Sequence, residues 1–192
     1  MPTPPRSWSN RARSIGFGLF LLLLLFLTGA LVYCPAGERG VPAQNGIGNF
    51  GIVSERLYRG AQPDEKAMER LKELGIKLII NLRMPGDVWK QEAALAAAHG
   101  ILYTNLPWRG LGAPTEAQVR LALALVEAAP GPVFVHCEHG CDRTGTVIAC
   151  YRVQHDQWPH DAALEEARHY GLSRWERGMK RFILAFQTAK QP

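Results

Sequence analysis

One stretch of the chain concentrates reactive side chains, the segment 133–145, VFVHCEHGCDRTG. Cys137 and Arg143 are separated by five residues, His136 precedes the cysteine and Thr144 follows the arginine. A lone Cys and Arg at this spacing would mean little, because short pairs recur by chance. Set between an apolar strand and a helix, the full pattern points to phosphate chemistry. A tight loop ending at a helix N-terminus turns backbone N–H groups inward, and these with the helix dipole make an anion cradle. Arg143 can grip two phosphate oxygens with its planar fork, which a lysine cannot. Gly140 supplies the freedom for the curl. The cradle is then residues 138–143, with Glu138, His139, Gly140, Cys141 and Arg143 as substrate-binding positions. Its positive field favours a Cys137 thiolate, a nucleophile aimed at phosphorus.

The same residues carry plainer readings. His136 is either a satisfied strand-end histidine or a support for the loop. His136, Cys137, His139 and Cys141 are potential zinc ligands, but all lie within six residues, no second pair follows, and Arg143 would oppose a cation. No metal and no cofactor is expected. Cys141 and Cys150 read as small apolar packing groups, with a Cys141–Cys137 disulfide on oxidation as the alternative for the former. Trp108 is read equally as core or as a pocket wall. Arg83, Lys90 and Arg109 are either solvated or recognise further phosphates. Trp175, Met179, Phe182, Ile183 and Phe186, at helical spacing, read as core.

The elements that must hold this loop alternate along the chain. Strands are expected at 49–53, 57–59, 77–82, 102–105 and 133–136. Helices are expected from Asp64 to Gly75, from an Asp87 cap through 88–99, from a Thr115/Gln118 capping box to Ala129, and at about 144–157, 161–170 and 175–190. Strands alternating with helices predict an α/β fold with a largely parallel central sheet flanked by helices.

The 192 residues suit one domain, and a composition of 47% hydrophobic and 20% charged residues excludes a disordered or collagen-like chain. Four cysteines, at 34, 137, 141 and 150, give no disulfide framework. The net charge of +5 is concentrated at the start: residues 1–39 carry +3, and 40–192 only +2. Nucleic acid is therefore not an expected partner. Residues 15–33 contain no charge and as a helix would span roughly 28 Å. They read as a transmembrane signal anchor, with a cleaved signal peptide as the alternative. Residues 1–14 would be a cytoplasmic segment, since their arginines favour a cytoplasmic N-terminus with the domain outside. Residues 34–48 read as a Gly/Pro-rich linker, and 49–192 as the domain.

The His136-Cys137, Arg143-Thr144 pattern resembles the cysteine-dependent protein tyrosine phosphatase superfamily. Residues 54–63 (SERLYRGAQP) and 79–83 (IINLR) look like its compact bacterial and plant-fungal dual-specificity branch. The resemblance covers about residues 48–190. It implies attack by Cys137 on phosphorus, a cysteinyl-phosphate intermediate and its hydrolysis by water, without metal. It also implies oxyanion stabilisation by Arg143 and the loop amides, a Thr144 hydroxyl bonded to the thiolate, and His136 setting the loop. Most members carry an aspartate acid ahead of the third helix, whereas residues 106–114 here hold no Asp or Glu. Asp142 is the first candidate in its place, because myotubularin-type and some bacterial phosphatases look similar at that position; Glu116, Asp87 and Glu138 come after it. Implied substrates are phosphotyrosine and phosphoserine/threonine proteins, the alternative being membrane lipid or inositol phosphates. A further alternative is a pseudo-phosphatase that only binds phosphorylated partners.

Overall fold

The computed structural model describes residues 40–188. Five strands and six helices are arranged in the order β1 (Gly51–Ser54), β2 (Leu57–Gly60), α1 (Glu65–Glu73), β3 (Leu78–Asn81), α2 (Glu92–Ala98), β4 (Leu102–Asn105), α3 (Glu116–Ala128), β5 (Val133–His136), α4 (Asp142–Gln154), α5 (His160–His169) and α6 (Arg177–Ala185). The sheet order is β1-β2-β5-β3-β4. Only β1 and β2 pair antiparallel, so the sheet is mixed, with its other three pairings parallel.

β5 takes the centre because all four of its residues, Val-Phe-Val-His, are apolar enough or well enough partnered to be buried on both faces. Val133 and Val135 face one core with α3, α4, α5 and α6, while Phe134 faces a smaller one with α1 and α2. His136 aligns with Gly60 of β2 and Asn81 of β3. Three parallel strands thus end level, and the loops leaving them gather at the carboxyl edge of the sheet, where open α/β sheets place their sites.

Local side-chain chemistry fixes two of the helix starts. The Asp64 carboxylate accepts from Ala67 N–H at 2.8 Å to cap α1, and Thr115 and Gln118 form the reciprocal box that opens α3. Such caps contribute about 1 kcal/mol each. Helix α2 departs from expectation. Asp87 sits in a turn, its N–H donating to the Met84 carbonyl at 2.8 Å, and the helix begins only at Glu92, without a side-chain cap. At the other end of the chain, Met179, Ile183 and Phe186 are core, but Trp175 is 71% exposed. It precedes the first turn of α6, so the helical spacing does not apply to it.

Part of the stretch expected as linker is domain. Gln44 and Ile47 exchange backbone hydrogen bonds, Ala61 N–H donates to the Gly48 carbonyl, and Ile47 fills the smaller core beside Phe50 and Phe134. One correction concerns the membrane. The expected transmembrane helix, 15–33, lies outside the described residues, and among the described residues no helix is long and apolar enough to cross a membrane. The single-pass placement with the domain outside the cytoplasm is therefore withdrawn.

Candidate active site

The loop 137–143 leaves the end of β5 and runs into α4. Three successive carbonyls are tied outward by donors from distant parts of the chain. Gln62 N–H donates to Glu138 O at 3.0 Å, Asn49 Nδ2 to His139 O at 3.1 Å, and Arg59 Nη2 to Gly140 O at 2.7 Å. In a planar trans peptide the N–H points opposite to the C=O. Tying those carbonyls outward therefore turns the N–H groups of His139, Gly140 and Cys141 to the loop's other side, an arrangement suited to an anion. No cis peptide interrupts this among the described residues.

Gly140 is required twice over. Its φ is +70°, and a Cβ there would sit 2.5 Å from the Gly60 carbonyl carbon and oxygen, which are backbone and cannot step aside. Gly140→Ala should lower the melting temperature and cut phosphatase activity at least tenfold, checked by thermal unfolding and aryl phosphate turnover on the same preparation. Wild-type values for both would mean that the loop has room to yield.

Beneath the loop lies Arg59, 1% exposed, its guanidinium 3.9 Å from the Tyr170 ring centre. Burial pulls it down to about 10, so it remains a cation at neutral pH. Asn49 is equally committed: besides His139 O, its Nδ2 donates to Tyr170 O and Cys141 Sγ, and its Oδ1 accepts from Val41 N–H.

Cys137 is 3% exposed and Arg143 7%. Arg143 Nη1 donates to Leu82 O and Trp108 O, at 3.3 and 3.4 Å. The loops after β3 and β4 thereby fix the guanidinium. Trp108 itself packs in the larger core, and with Arg109, Leu111 and Thr115 it lines a cavity of about 220 Å³ beside that loop. Thr144 is fully buried, and its hydroxyl makes no hydrogen bond among the described residues. His136, 0% exposed, places Nδ1 3.0 Å from the Cys137 carbonyl and Nε2 2.8 Å from Glu92 Oε1.

Asp142 opens α4, and its Oδ1 accepts from Ser173 N–H at 2.7 Å. The other acid candidates stand elsewhere. Glu116 pairs with Arg120 on α3, Asp87 is exposed in its turn, and Glu138 is exposed on the loop. Arg83 reaches Gln62 Oε1 at 3.3 Å, while Arg109 and Lys90 are exposed. Cys137 and Cys150 are reduced thiols. Burial pushes the Cys150 thiol up, which keeps it an uncharged packing group. Among the described residues no three His, Cys, Asp or Glu side chains converge to hold a metal ion. Asn49, Arg59 and Glu92 have no role in the sequence analysis, although Arg59 lies within the 54–63 stretch. A charged residue within a buried strand and a glutamate four before Ala96 on a helix's buried face were the available signals.

Residues 53–157 match the family model described as "Polymorphic toxin system, DSP-PTPase phosphatase". The chain belongs to the cysteine-dependent dual-specificity phosphatases. It is 34% identical over 183 residues to the dual specificity protein phosphatase TpbA of Pseudomonas aeruginosa, covering 90% of this chain and 77% of that one. The crystal structure of TpbA in complex with pTyr superposes with a TM-score of 0.65 at 27% identity, covering 80% of this chain and 92% of that one. The phosphatidylglycerophosphate phosphatase PTPMT2 of Arabidopsis thaliana is 32% identical over 120 residues, 60% of this chain and 52% of that one. This dual-specificity phosphatase is accordingly an enzyme of the tyrosine-phosphatase kind.

Proposed function

We propose that this phosphatase cleaves phosphotyrosine, and more slowly phosphoserine or phosphothreonine, in proteins through a cysteinyl phosphate. The observation that carries the reading is the outward tethering of the 138, 139 and 140 carbonyls above Cys137 and Arg143. Three amides and one guanidinium are then aimed at the place where the equatorial phosphate oxygens gain charge. The Cys137 sulfur attacks phosphorus, the P–O bond to the substrate breaks, and the leaving oxygen takes a proton. Water then attacks the phosphorus, giving a proton back to the group that protonated the leaving oxygen, and the S–P bond breaks to release phosphate and return the thiolate. The unpartnered Thr144 hydroxyl is the group suited to stabilise that thiolate. The TpbA complex with pTyr supports phosphotyrosine as substrate; kinship with PTPMT2 makes a phospholipid the comparison to run.

Asp142 is the proton donor in this reading. It adjoins Arg143, its side chain is oriented by Ser173 N–H, and the loop 106–114 offers no carboxylate. Asp142→Asn should lower kcat about 100-fold on phosphotyrosyl peptide, whose leaving group needs a proton, and far less on an aryl phosphate with an acidic phenol. Equal losses on both would reduce Asp142 to a tether between α4 and the α5–α6 connection. Parallel rates on a short-chain phosphatidylglycerophosphate test the substrate class. Turnover of the lipid alone would replace the protein reading.

A further inference from the structure

Behind Cys137 sits a buried carboxylate that the reaction above leaves idle. Glu92, the first residue of α2, is 0% exposed. Its Oε2 accepts from Asn81 Nδ2 at 2.7 Å and faces the Tyr103 hydroxyl at 3.4 Å. The Asn81 orientation is fixed, because its Oδ1 accepts from Arg83 N–H. The other oxygen, Oε1, lies 2.8 Å from His136 Nε2, bent away from a straight hydrogen-bond line. Phe134 stacks on the imidazole at 5.7 Å between centres and helps hold its plane.

These contacts determine where the protons are. The Cys137 carbonyl can only accept, so His136 Nδ1 carries a hydrogen. Two unprotonated, electron-rich atoms held 2.8 Å apart would repel in a low-dielectric interior even off the hydrogen-bond line, so one further proton belongs to the pair of ring and carboxylate. Two donors on Oε2 favour the ionised carboxylate, which leaves that proton on the ring. Tyr103 remains a donor, pushed up to about 12 by burial and then by the Glu92 charge. The other charged and titratable groups nearby are Arg83 after β3, which acts on Tyr103, Arg59 from β2, Arg143 and Asp142 from α4, and Glu138 and His139 exposed on the loop.

We infer that Glu92 is a positioning residue of this phosphatase: it holds His136 as an imidazolium against the backbone of Cys137, putting a buried cation behind the nucleophile. The inference rests on Cys137 being that nucleophile. Its effect reaches the sulfur only through His136, since the Glu92 side chain lies among Asn81, Tyr103 and the ring.

The test is nitrogen-resolved NMR of the full chain carrying ¹⁵N-histidine, with His136→Asn used only to assign the ring signals. In the wild type both ring nitrogens of His136 should be protonated at neutral pH. A single protonated nitrogen overturns the inference without recourse to any variant. In Glu92→Gln the ring should drop to one protonated nitrogen, and kcat/KM on an aryl phosphate should fall about 10- to 100-fold, the scale of one buried charge near a reacting centre. A folded Glu92→Gln with a neutral ring and wild-type kcat/KM would also overturn it. If that variant does not fold, Glu92→Asp, which withdraws the charge by one methylene, is read the same way, with a smaller loss expected. Turnover persisting in Cys137→Ser would instead remove the nucleophile reading and leave the ring protonation standing.

Discussion

Cys137→Ser should abolish hydrolysis of an aryl phosphate, by about 10⁴-fold or more, while the protein stays folded and still binds phosphate or vanadate. Oxygen replaces sulfur at a position that is 3% exposed and needs no extra space. What is lost is the sulfur nucleophile, since a serine hydroxyl is a far weaker one at neutral pH. Wild-type turnover should resist excess chelator, as expected for a thiolate supported by backbone amides and Arg143. Residual activity in the serine variant at wild-type level would require another nucleophile. A wild type that binds phosphate yet never turns over would make the loop a phospho-recognition module.

The second large effect is expected from Arg143→Lys. The lysine keeps the charge but has neither the planar fork for two phosphate oxygens nor the reach to satisfy Leu82 O and Trp108 O together. kcat/KM should drop about 10³-fold, and the melting temperature should fall as well, because charge-assisted bonds between the loops after β3 and β4 contribute about 1.5–3 kcal/mol each. Paired kinetics and calorimetry check this. An unchanged melting temperature would show that Arg143 serves the phosphate alone and braces nothing.

The loop proposed as catalytic stands out in the sequence because its parts are contiguous: strand, cysteine, glycine, arginine and helix start lie within thirteen residues. Caps at Asp64 and Thr115 were legible for the same reason, each acting three residues away. What the sequence concealed are partners acting across the fold. Asn49 reaches a carbonyl ninety residues on and Arg59 one that is eighty-one residues on. Glu92 looks like a helix-surface acid until α2 turns it inward. Asp87 has the right type for a cap, but the chain spends it in a turn, so α2 starts only at Glu92. Trp175 shows the reverse error, an apolar residue at core spacing placed just ahead of the helix that would have buried it. The apolar run 15–33 is the clearest feature of the sequence, and it lies outside the described residues.

The three tethers of the catalytic loop also bear on how the enzyme comes into being. Asn49, Arg59 and Gln62 precede the loop by some eighty residues, so on a ribosome they emerge first, and the loop 137–143 arrives when its template can already exist. Closing such a long span is entropically slow and is rewarded only when the distant partners are in place. A chain truncated before the loop, or one whose first strands have not docked, contains no partial catalyst. Catalysis therefore reports on completed folding, and a half-made chain is harmless to whatever phosphate esters surround it.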